Sequence, residues 1–214
     1  MKTKIYFNSL ISLILLVFSV NASAGLIFSD NFESDTVAGG VTGSLVNWNI
    51  TSGNLDVVGL GFAASLCNNA TAGHCIDLDG TNSNATIVTK LSYSLSAGTY
   101  LFEFDYGNNT TQDNSLFYSI DNINSNLGSL LSGSVSTMFI MDNIYSHFTA
   151  NFVVSSATNI NIIFRGAGTA NSYGSVLDNV SLRSVQTTNV PEPATMTLIM
   201  LGLLFIVSRR RLSQ

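Results

Sequence analysis

The sequence has little charge. Only 10% of its 214 residues are Asp, Glu, Lys or Arg. Between Gly25 and Asn189 the bases are Lys90, Arg165 and Arg183 alone, against twelve acids, a formal charge of −9. A surface so poor in Lys and Arg cannot neutralise a row of phosphates, which excludes nucleic acid as a partner and suits divalent cations instead. Histidine is scarce as well: His74 and His147 are the whole supply. There is no Gly-X-Ser-X-Gly elbow, no His-Glu-X-X-His helix and no P-loop, so serine hydrolases, zincins and P-loop nucleotidases fall away. A glycosidase needs only two carboxylates about 5–10 Å apart, and twelve acids keep that class as the enzymatic alternative. Proline occurs twice, at Pro191 and Pro193, and nowhere in the preceding body. Helical periodicity is missing from Gly25 to Asn189.

The two ends differ in kind from the body. Lys2 and Lys4 precede an apolar stretch, Leu10 to Val20, followed by Ala22-Ser23-Ala24. That order is a secretory signal peptide over residues 1–24, cut by signal peptidase before Gly25. At the other end, Ala194 to Val207 is an apolar run stopped by Arg209, Arg210 and Arg211. As a helix it would be roughly 21 Å long at about 1.5 Å per residue. The hydrocarbon core of a bilayer is about 30 Å thick, so this single transmembrane helix spans only marginally and suits a transient anchor. The arginines stay on the cytoplasmic side and the body outside the inner membrane. Pro191 and Pro193 hold the preceding segment extended and stop the helix growing backwards.

Val190-Pro191-Glu192-Pro193, the apolar helix and the Arg cluster, in that order over residues 189–214, resemble the PEP-CTERM sorting signal of Gram-negative bacteria. The resemblance implies export, inner-membrane anchoring and processing by an exosortase-type enzyme. The mature protein would then sit at the cell surface or in the extracellular matrix. It also implies an association with exopolysaccharide and biofilm.

Residues 25–188 read as one all-β domain. "GTYLFEFDYGN" sets Tyr100, Phe102, Phe104 and Tyr106 on one face and Leu101, Glu103 and Asp105 on the other. "SLFYSID" and "NINIIFRG" alternate likewise, and "YSHFTANFVV" is a longer strand. Turn residues separate them: Gly53-Asn54, Asp79-Gly80, Ala97-Gly98, Gly107-Asn108-Asn109 and Gly166-Ala167-Gly168. About nine or ten strands in an antiparallel β-sandwich of jelly-roll type follow from this spacing. Cys67 and Cys75, the only cysteines, lie in the exported part, where an even pair reads as a disulfide. A metal site on them with His74 would have poor geometry and no fourth ligand.

"FSDNFES", "CIDLDGT", "LSAGTYLFEFDYGNN" and "GSVLDNVSLRSV", in that order, resemble galactose-binding-like jelly rolls, which include carbohydrate-binding modules. The resemblance implies non-catalytic sugar binding and a structural calcium ion where the first and last strands meet. Its ligands would be Glu33 in "DNFES" and Asp178 in "LDNV", with Asp79 in "DLDG" as a third. Sugars stack on aromatic rings; Trp48, Tyr106, Tyr118, Tyr145 and Tyr173 are the candidates, with Trp48 read as core and Tyr173 as the most exposed. The sequence thus points to an exported, non-catalytic envelope or matrix protein that binds polysaccharide. The alternatives are an extracellular carbohydrate-active enzyme and a purely structural adhesin.

Overall fold

β8, Gly98–Asn108, is the strand that organises the sandwich. In the computed structural model, which describes residues 25–67, 73–109, 111–123, 128–137 and 145–185, its alternating aromatics do what their period requires. Tyr100, Phe102 and Phe104 are buried between two sheets, while Leu101, Glu103 and Asp105 face outward. Phe104 alone meets the rings of Phe102, Tyr106, Tyr118, Phe148 and Phe164. Burying one such side chain contributes about 1.5–3 kcal/mol, so this aromatic column is a major source of cohesion.

Thirteen strands lie among the described residues. The first seven are β1 Leu26–Asp30, β2 Ala38–Val41, β3 Trp48–Ser52, β4 Leu55–Val58, β5 Cys75–Asp77, β6 Thr86–Thr89 and β7 Tyr93–Leu95. After β8 come β9 Asn114–Asn122, β10 Ser129–Thr137, β11 Ser146–Val154, β12 Thr158–Ala167 and β13 Ser175–Val185. The first sheet runs β11-β8-β13-β5-β4-β2, with β1 also on β13; the second runs β10-β9-β12-β6-β3, with β7 on β12. Every pairing is antiparallel, and from β8 onward the chain passes repeatedly from one sheet to the other. The fold is the expected antiparallel jelly-roll sandwich.

Strand number exceeds the sequence estimate because β2, β5 and β7 have only three or four residues, too few to show alternation. Two expected turns also differ. Gly107 and Asn108 continue β8, opposite Val176 and Ser175. Asn108 is fully buried there because its amide donates to the Gln112 carbonyl and its Oδ1 accepts from Asn114. Gly166 and Ala167 likewise belong to β12. A Cβ at Gly166 would come within 2.9 Å of the Leu78 backbone oxygen, so glycine here permits close approach of β12 to the backbone just after β5.

The outer faces of the two sheets are unequal. Cys67 and Cys75 form a disulfide, Cα atoms 5.4 Å apart, as the compartment argument required. With Val58, Leu66 and Val176 they make a second small core, packed by Tyr145, on the outside of the first sheet. Beyond it that face is charged: Arg183 pairs with Glu103 at 2.5 Å, and His147 Nδ1 lies 2.7 Å from Asp105. The second sheet has no such cover among the described residues.

Candidate functional site

β9, β12 and β10 lie side by side in the second sheet. In β9 the period of two sends Leu116 and Ile120 fully into the core and Tyr118 against Phe102, Phe104 and Phe148. Phe117 must then face outward, and it is 36% exposed. Its register partner across the β9–β12 pair is Arg165, whose guanidinium carbon stands 4.3 Å from the ring centroid. On the other side its partner is Ser134 of β10. Around this pair runs an open groove of about 420 Å³, lined by Thr86, Tyr118, Ser119, Ser132, Gly133, Ser134 and Ile163 besides Phe117 and Arg165. The result is one aromatic face and one fixed cation in a field of hydroxyls. That combination can stack a sugar ring and hydrogen-bond its hydroxyls; it holds no acid–base pair.

Of the aromatics expected from sequence, Tyr118 lines this groove beside Phe117 and the others fall elsewhere. Trp48 is wholly buried and donates its indole N–H to Asp30 at 2.8 Å, so the core reading holds. Tyr106 and Tyr118 pack against the core from its margin. The Tyr145 hydroxyl donates to the Leu66 carbonyl, and burial, followed by the nearby carboxylates of Asp178, Asp105 and Asp77, raises its pKa. Tyr173 is 54% exposed, as expected, in the loop after β12. Phe117 was not among the candidates, although the alternation of "SLFYSID" places it on the polar face, and that is the signal that finds it.

The proposed calcium ligands separate into two groups. Asp178 is 6% exposed and accepts one hydrogen bond, from the Asn179 amide at 2.7 Å. Burial pushes its pKa up to about 7, and the carboxylates of Asp105, Glu33 and Asp30 push the same way against the Asn179 amide. A buried acid among other acids is the electrostatic setting in which a cation is favourable. Glu33 belongs to this group and accepts from the His74 amide at 2.9 Å. Asp79 spends both oxygens on backbone amides, Ser83 at 2.9 Å and Asn171 at 2.8 Å, and so ties two loops together. Among the described residues no three His, Cys, Asp or Glu side chains stand close enough to hold a metal by themselves. Val190, Pro191, Glu192, Pro193 and the three arginines, like the signal peptide, lie outside the described residues.

Residues 189–211 match the family model of the PEP-CTERM protein-sorting motif. The C-terminus is a PEP-CTERM sorting signal. It indicates export with C-terminal membrane anchoring, which is the outcome the sequence led to. No curated protein matches the chain. Among solved structures, the chain is similar to TmCBM61 in complex with beta-1,4-galactotriose at 16% identity and TM-score 0.46, with 64% of this chain and 88% of that one covered. It is similar to the CBM22-1 xylan-binding domain of Paenibacillus barcinonensis Xyn10C at 10% identity and TM-score 0.48, covering 79% and 100%. A third is CBM6cm-2 of Cellvibrio mixtus lichenase 5A in complex with cellotriose, at 11% identity and TM-score 0.43, covering 76% and 100%.

Proposed function

We propose that this is an exported, non-catalytic polysaccharide-binding protein of the cell envelope or extracellular matrix, delivered by its PEP-CTERM signal and released by an exosortase-type enzyme. The observation that carries the reading is Phe117, an aromatic ring held outward in a hydroxyl-lined groove. The groove has no carboxylate, and the body's two glutamates are engaged on the other sheet side: Glu103 with Arg183, Glu33 with the His74 amide. A glycoside hydrolase needs two carboxylates flanking its bond, so binding without cleavage is the function this groove supports. We further propose a structural calcium ion at Glu33 and Asp178, where the chain leaves β1 beside the irregular register of β13.

A glycan array with the exported protein tests the binding. At least one polysaccharide should be retained, and Phe117→Ala should abolish its retention while leaving the melting temperature unchanged. No retained glycan, or retention indifferent to Phe117, would overturn the reading. Intact mass of the protein recovered from the native matrix tests the release: most molecules should lack Leu198 to Gln214, and finding that segment attached to most of them would reject processing.

A further inference from the structure

Arg165 differs from the other two cations of the body. Arg183 is neutralised by Glu103. Lys90 lies near enough to Asp35 to favour its charged form. Arg165 makes no ion pair and donates no side-chain hydrogen bond among the described residues. Its guanidinium carbon lies over the Phe117 ring, 4.3 Å from the centroid, a contact that uses none of its N–H donors as hydrogen bonds. The first carboxylate along this face is two register pairs away. Phe117↔Arg165 is followed by Ser119↔Ile163 and only then by Asp121↔Asn161, where Asp121 accepts from Ser129 at 2.6 Å. Among the described residues, a body with twelve acids and three bases therefore places a cation without an ion pair in a groove whose lining holds an aromatic ring and no carboxylate.

Resting on the sugar-binding reading above, we infer that this groove selects acidic polysaccharides, with Arg165 holding an anionic group on the sugar while Phe117 carries the ring. A neutral sugar offers the guanidinium only single neutral acceptors, its hydroxyl oxygens, which the surrounding serines and threonine serve as well. A carboxylate takes two parallel N–H bonds from it, and a sulfate uses the same fork. The negative charge elsewhere on the body does not forbid this. At physiological ionic strength charges more than about 8 Å apart are largely screened, so the local sign of the groove decides.

The test is titration calorimetry of the exported protein with four polymers: polygalacturonate, its fully methyl-esterified form, dextran sulfate and neutral dextran. The methyl ester keeps the sugar and removes the charge. Polygalacturonate, dextran sulfate or both should bind at least tenfold more tightly than the uncharged counterpart, and the pair that does so tells carboxylate from sulfate. Arg165→Gln should remove that tenfold preference with no change in melting temperature, and Phe117→Ala should remove binding altogether. Equal affinity for charged and uncharged forms, or a preference that survives Arg165→Gln, overturns the inference while leaving sugar binding intact. Failure to bind these four and every glycan of the array overturns both.

Discussion

The carboxylate of Asp30 accepts the indole N–H of Trp48 at 2.8 Å. The same side chain also accepts from the Phe32 amide at 2.9 Å and the Asn47 amide group at 3.1 Å. Trp48 is fully buried, and Phe32, also fully buried, sits at φ 56°. One acid thus satisfies the core's only tryptophan and pins a left-handed turn. Asp30→Ala should cost about 1–3 kcal/mol for the orphaned indole donor, and more if the turn relaxes. Urea unfolding would measure it. Trp48→Phe in the Asp30→Ala background should recover part of the loss; a change under about 0.5 kcal/mol for Asp30→Ala would remove the bond from any account of stability.

The disulfide between Cys67 and Cys75 closes a short loop, for which chain entropy gives somewhat under about 3 kcal/mol. Free-thiol labelling of the unfolded, unreduced protein should be negative, and stoichiometric labelling would refute the bond. Reduction should loosen the small core around Val58, Leu66 and Val176 and lower the melting temperature, but leave the groove on the other sheet able to bind.

His147 has a pKa raised above its ordinary value, first by its hydrogen bond to Asp105, which desolvation opposes, and then by charge–charge attraction to Asp105 and by the hydrogen bond and charge of Glu103. A raised histidine stabilises the fold fully below its unfolded value, near 6.5, and that contribution disappears as pH rises through the higher folded value. The imidazole midpoint by NMR should lie above 6.5, and Asp105→Asn should lower it. A midpoint at or below the ordinary value would contradict the pairing. The side chain is 54% exposed, so solvent screening keeps the effect on stability small.

If calcium sits at Glu33 and Asp178, EDTA should lower the melting temperature, and calcium but not magnesium should restore it. Magnesium demands a tighter octahedron and keeps its waters. Glu33→Gln or Asp178→Asn should remove the response. A melting curve indifferent to EDTA, with no calcium by elemental analysis, would rule the site out.

Much of the fold was legible because period two and burial coincide: Tyr100, Phe102 and Phe104 alternate in the sequence and are buried in the structure. The groove was less so. Phe117 is visible as an aromatic out of phase with Leu116 and Ile120, but its partner Arg165 lies in a strand 48 positions later, and only the β9–β12 register joins them. Gly107-Asn108 read as a turn because Gly and Asn favour turns; buried donors and acceptors from Gln112 and Asn114 made a strand affordable there. Asp79 was grouped with Glu33 and Asp178 through the resemblance to galactose-binding-like jelly rolls, and its hydrogen bonds from the amides of Ser83 and Asn171 depend on loop contacts no local pattern reveals.

Among the described residues β1 has a single sheet partner, β13. The contact between Gly25 and Ser184 bridges 159 positions. During secretion the first strand to emerge must therefore wait for the last. Native pairing of this edge cannot lock halfway, and its long closure makes it a slow step. A chain built this way can complete its first sheet only once β13 is available to pair with β1.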